Sequence, residues 1–146
     1  MKTIHKSIDI AASAEKVWEV LASDTQTKVW YAVFSEGTHA DTDWQEGSKI
    51  IATDNTGEGL VGMIKESKPG EILSIEYYGW IKEGKEDTES KVAQMMKGAK
   101  EIYRLSEKGG ATHLDISCDM DEGSYEMMSE SWNKAVVMIK DLAEKV

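Results

Sequence analysis

The chain has 146 residues, 40% of them hydrophobic and 30% charged, and carries a formal net charge of −10 at pH 7. That acidity, with Arg104 as the only arginine, argues against nucleic acid or an anionic membrane as partner, because phosphate binding needs clustered Lys and Arg. No run approaches the ~20 apolar residues of a membrane span, so no membrane insertion is expected.

The length suits one domain over residues 1–146, able to bury roughly 70% of its unfolded surface. The N-terminal residues enter a strand pattern without the apolar stretch and cleavage site of a signal peptide, which predicts a cytoplasmic protein. Cys118 is the only cysteine, so no intrachain disulfide can form, in agreement with a reducing compartment.

From Lys2 to Ala11 the period is two, with Ile4, Ile8 and Ile10 on one side and Lys6 sharing it. Ser13 then reads as a helix N-cap before Ala14, Val17, Trp18 and Leu21, spaced as one helical face, with Glu15 supporting the first turn. Asp24 reads as a second N-cap, for a short helix closing on Trp30 and Tyr31.

Strands are expected at Ser35–Ala40, Ser48–Asp54, Gly59–Ser67, Glu71–Gly79, Ala99–Ser106 and Ala111–Met120. Short Gly-containing turns, Asn55-Thr56-Gly57, Lys68-Pro69-Gly70 and Glu107-Lys108-Gly109-Gly110, join several of them as antiparallel hairpins. Alternation assigns Leu73, Ile75, Tyr77, Tyr103, Leu105, Leu114, Ile116 and Cys118 to the interior. Ser74, Glu76, Arg104, His113, Asp115 and Ser117 then face outward. The stretch between Trp80 and Gly98 fits neither period; its first half is charged, and its second half has the makings of a helical turn presenting Val92, Met95 and Met96.

The chain ends in an amphipathic helix over Tyr125–Val146, where Tyr125, Met128, Trp132, Ala135, Val136, Ile139, Leu142, Ala143 and Val146 form a broad apolar stripe. Such a stripe needs a concave partner. Asp119, Asp121 and Glu122 read as a loop and helix-start feature.

Three segments carry a family resemblance: Ile8-Asp9-Ile10-Ala11-Ala12-Ser13-Ala14-Glu15-Lys16-Val17-Trp18, Asp43-Trp44-Gln45-Glu46-Gly47-Ser48-Lys49-Ile50, and Gly62 through Ile75 around Lys68-Pro69-Gly70. In this order, and over essentially the whole chain, the sequence resembles the START-like or SRPBCC superfamily, and within it the homologues of the activator of heat-shock-protein-90 ATPase (Aha-type). The resemblance implies an α+β helix-grip fold, a curved antiparallel sheet of about seven strands wrapped around the long C-terminal helix, with two short helices after the first strand. It also implies an apolar cavity between sheet and helix for a small hydrophobic ligand such as a lipid, a polyketide or another aromatic compound. The eukaryotic co-chaperones of that name carry a further N-terminal domain with no counterpart here, which ranks a chaperone partner below a small ligand.

No catalytic or cofactor motif is present. His5, His39 and His113 are dispersed, no ligand spacing for a metal exists, and no phosphate-binding glycine loop precedes a helix, so neither metal nor cofactor is expected. Cys118 reads as a buried apolar group. The candidate ligand-binding residues are Trp30, Tyr31, Trp44, Tyr77, Trp80, Met95, Met96, Tyr103, Tyr125, Met128 and Trp132. Adaptable methionines beside polar-tipped aromatics make the mixture typical of ligand pockets, although burial alone, at about 1.5–3 kcal/mol per large apolar side chain, also accounts for such residues. Two alternatives stay open: a cyclase- or dehydratase-like enzyme using Tyr77, Tyr103 or Glu101 in the same cavity, and a chaperone-interaction module.

Overall fold

β1 (Lys2–Ile10) alternates as its sequence requires, with Ile4 and Ile10 buried and Lys2, Thr3, His5, Ser7 and Asp9 exposed. The structure, a computed structural model, describes residues 1–145. α1 (Ala14–Leu21) starts at Ser13, whose Oγ accepts the Lys16 amide, and buries Val17, Val20 and Leu21. α2 (Asp24–Tyr31) is capped one residue earlier than its sequence suggests. Ser23 Oγ accepts the Gln26 amide at 3.4 Å, which frees the Asp24 carboxylate for the Trp44 indole.

The strand expected over Ser35–Ala40 shortens to β2 (His39–Asp41). Residues from Ser35 to Thr38 instead form a turn, with the Thr38 amide on the Ser35 carbonyl and Gly37 at φ 79°. β3 (Lys49–Thr53), β4 (Gly59–Lys68), β5 (Ile72–Lys82), β7 (Lys100–Lys108) and β8 (Ala111–Met120) follow the predicted series. The additional strand is β6 (Lys85–Asp87), paired to the end of β5 through a tight turn at Glu83 and Gly84. Both turn residues have positive φ, 52° and 75°, the conformation a two-residue hairpin favours. The sheet has eight strands, close to the expected seven: seven run in the order β1-β8-β7-β5-β4-β3-β2, β6 pairs with the end of β5 off that path, and all pairs are antiparallel. α3 (Lys91–Met96) is the helical turn between β6 and β7.

α4 (Tyr125–Glu144) is the long closing helix, about 30 Å at the usual rise. A 3-10 turn at Glu122–Ser124 leads into it, held by the Asp121 carboxylate on the Ser124 amide at 3.1 Å. α4 buries Trp132, Ala135, Val136, Ile139 and Ala143 against β1 and the two short helices. Its far end is tied to β1, where Glu144 accepts the Ala11 amide at 2.8 Å. The predicted extension to Val146 lies outside the described residues, and the helix ends at Glu144. This is the α+β helix-grip architecture. Ser74, expected to face outward, is 8% exposed because its small side chain sits on a central strand between Glu66 and Ile102.

One irregularity shapes the interior. Between β4 and β5 the register runs Val61 to Gly79 and then Gly62 to Tyr77, leaving Tyr78 as an extra residue in a β-bulge. The bulge shifts the side-chain parity of β5. Tyr77 and Trp80, three residues apart, consequently share the concave face, where strict alternation would oppose them. Gly62 makes this arrangement feasible, because a Cβ there would lie 2.6 Å from the Glu76 carbonyl oxygen and 3.0 Å from the Tyr77 ring.

Candidate functional site

Between the concave face of the sheet, α2 and the N-terminal half of α4 lies a cavity of about 360 Å³. It falls within the range of small-molecule sites, roughly 300–1,000 Å³. Of the eleven residues singled out in the sequence, eight line it: Trp30 and Tyr31 from α2, Tyr77 and Trp80 from β5, Met96 from α3, Tyr103 from β7, and Met128 and Trp132 from α4.

The other three are elsewhere. Met95 is 57% exposed, since consecutive residues on a helix point about 100° apart and Met96 takes the inward direction. Tyr125 turns toward β1, where the Lys2 ammonium stands 4.2 Å from its ring centroid. Trp44 is buried as a clasp: its indole donates to Asp24 Oδ1 at 3.0 Å, and its carbonyl accepts from Ser67 Oγ at 2.7 Å. Those bonds hold it at φ 63°, a strained conformation for a bulky residue.

The aromatic wall is contiguous. Trp30 meets Tyr31 edge-on at 4.5 Å, while Trp30, Tyr103 and Trp132 lie mutually 6.1–6.2 Å apart between ring centroids. Phe34, absent from the sequence candidates, adds an edge contact with Trp132 at 4.9 Å. The Trp30 indole donates to the Val20 carbonyl at 2.9 Å, which fixes that ring. The Trp132 indole N–H is buried without a hydrogen-bond partner among the described residues.

Glu101 is the chemically distinctive member. It shares one face of β7 with Tyr103 and Leu105, so the period that marked those residues as interior also carries a carboxyl inward. Tyr103 donates to Glu101 Oε2 at 2.7 Å, and the Cys118 thiol lies 3.8 Å from Oε1. Burial pushes the Glu101 carboxyl above its ordinary value, partly opposed by hydrogen bonds from Tyr103, Cys118 and Tyr77. Burial and the nearby Glu101 charge push Tyr31, Tyr77, Tyr103 and Cys118 well above theirs. Cys118 is therefore an inert thiol at neutral pH.

The remaining lining is apolar, acidic or, at Ser35, Thr38 and Ser124, hydroxyl-bearing. Asp54, Glu58, Asp119 and Asp121 contribute carboxylates, and no Lys, Arg or His is among the lining residues. Asp54 also staples the turn after α2 to the β3–β4 hairpin, accepting from Ser35 Oγ at 2.8 Å and from the Thr56 amide at 2.8 Å. Hydrogen bonds from the Thr56 and Ser35 side chains and the Thr56 amide lower its pKa to about 2. Among the described residues no three His, Cys, Asp or Glu side chains group to hold a metal ion, and no helix is long and apolar enough to cross a membrane.

The profile of the family described as Activator of Hsp90 ATPase homolog 1-like protein matches residues 11–144. The chain belongs to this family. Among solved structures it is similar to the Aha1 dimer from Colwellia psychrerythraea, at 18% identity over 99% of this chain and 98% of that one, with a TM-score of 0.75. MLL2253 from Mesorhizobium loti aligns at 14% identity over 99% and 98%, with a TM-score of 0.78. CalU16 from Micromonospora echinospora aligns at 21% identity over 95% and 72%, with a TM-score of 0.66. At these identities the likeness establishes the helix-grip fold of this Aha1-like protein. No curated protein matches it by sequence.

Proposed function

We propose that this Aha1-like protein binds a small hydrophobic or amphipathic molecule between the sheet and the N-terminal half of α4. The reading rests on one observation: a cavity of ligand size walled by Trp30, Trp132 and Tyr31, into which the polar tips of Glu101 and Tyr103 converge. Apolar walls desolvate the ligand, the polar tips orient it, and Met96 with Met128 adapts the fit. One fold-mate, DynU16, is described as a protein in the dynemicin biosynthetic locus, which accords with a polyketide or aromatic ligand. Residues 1–146 acting as one domain, and a cytoplasmic setting, belong to the same proposal.

Displacement of an environment-sensitive apolar fluorophore by panels of lipids, flavonoids and polycyclic aromatics tests it. Saturable displacement that weakens in Leu60→Trp, which fills the cavity, is the expected result. Displacement by no class, or unchanged in that variant, contradicts it.

Glu101 favours a second reading, a cyclase- or dehydratase-like enzyme. A carboxyl with a raised pKa inside an apolar cavity is suited to general acid–base work. In that case Glu101→Gln abolishes turnover of a bound polyketide-like substrate while binding persists.

A further inference from the structure

A cavity that binds neutral apolar molecules has no need of a carboxyl, and burying one without a countercharge is costly. Glu101 is held there by hydroxyl and thiol donors alone, and among the described residues nothing cationic faces it. The tyrosines beside it supply hydrogen bonds but no charge. The rest of the lining does not compensate either, since every ionisable side chain at neutral pH is an acid. Asp54, Asp119 and Asp121 are engaged in local hydrogen bonds, and their carboxylates bias the potential around the cavity toward cations. A second group lacks a strong acceptor among the described residues: the Trp132 indole N–H is buried, lines the same cavity and has only the Cys118 sulfur, a weak acceptor, beside it. Both groups point to polar atoms that a ligand brings.

We infer that the preferred ligand is an apolar or aromatic amine, carried as its ammonium, whose positive group pairs with Glu101 among the aromatic rings of Trp30, Tyr31, Tyr103 and Trp132. This rests on the proposed binding function and specifies its ligand class. Aromatic faces attract cations through their quadrupoles, most strongly where water is excluded. The acidic lining attracts an ammonium and repels a carboxylate of the same shape. An oxygen elsewhere on the ligand would accept the Trp132 indole N–H.

Three probes sharing one ring system separate the possibilities: 2-(1-naphthyl)ethylamine, 2-(1-naphthyl)ethanol and 1-naphthylacetate, each titrated calorimetrically into the full chain at pH 7 and fixed ionic strength. The amine is expected to bind roughly tenfold or more tighter than the alcohol, and the carboxylate weakest. In Glu101→Gln, with folding verified by its amide spectrum, the amine-to-alcohol ratio should fall to within about threefold. Equal binding of amine and alcohol overturns the amine inference while leaving ligand binding standing, as does an undiminished preference in the variant. Absence of binding by all three overturns the inference, and the fluorophore displacement then decides separately whether the cavity binds anything else.

Discussion

At the scale of single residues, Glu101 concentrates the tension between stability and function. Its carboxyl is harder to ionise in the folded protein than in the unfolded chain, so ionisation favours unfolding. Stability should therefore decline as pH rises from the usual carboxylate range through the folded pKa, and Glu101→Gln should flatten this dependence above the usual carboxylate range. Chemical denaturation at a series of pH values measures it. The groups that face Glu101, Tyr31, Tyr77, Tyr103 and Cys118, stay neutral across this interval and do not confound the reading. Tyr103→Phe removes the 2.7 Å hydrogen bond and should cost about 1–3 kcal/mol by the same method, because the half-buried carboxyl loses one of its donors. Period-two alternation puts Glu101 inside by the rule that places Tyr103 there. It was legible as a candidate acid, but sequence alone does not reveal that no cation would accompany it.

At the scale of elements, the bulge at Tyr78 does most to build the site, because it turns Trp80 onto the concave face with Tyr77. Gly62→Ala should press on the Glu76 carbonyl and the Tyr77 ring, costing about 1–3 kcal/mol and altering the cavity, as denaturation and crystallography of the variant would show. Trp132→Ala, removing the largest side chain that α4 buries, should cost about 3–5 kcal/mol. At the β1–β8 seam, His113 Nδ1 meets Asp9 at 2.7 Å and Nε2 meets Asp115 at 3.3 Å, contacts that raise the imidazole pKa. A raised histidine stabilises the fold below its unfolded value of about 6.5 and loses that contribution as pH rises through the folded value. The difference in unfolding midpoint between the parent and His113→Asn should shrink accordingly with rising pH. Helix and strand periods gave most elements to within a few residues. The misses have local causes: hydrogen bonding that turned Ser35 to Thr38 away from a strand, and a Glu83-Gly84 turn inside a charged stretch that hid β6.

At the scale of the molecule, the hairpins and α4 were readable from turn residues and hydrophobic period, and the curved sheet around the helix from the family resemblance, whereas the pairing of β1 with β8 joins distant parts of the chain that no local turn connects. The composition of the cavity was less legible. Trp44 has the same residue type as Trp30 and Trp132, but an Asp24 partner 20 positions away makes it a clasp. Tyr125 and Met95 miss the cavity because rotation around a helix axis, rather than residue type, decides which side chain enters. These details depend on tertiary placement, which neither spacing nor composition encodes.

The five tryptophans offer the most direct test of the central claim, that the cavity is a binding site. Trp30, Trp80 and Trp132 line it, whereas Trp18 and Trp44 do not. In a titration with a cavity ligand followed by the indole N–H resonances, the first three should shift together along one saturation curve while Trp18 and Trp44 stay fixed. Uniform movement of all five, or saturation with Trp30 and Trp132 unmoved, would contradict it.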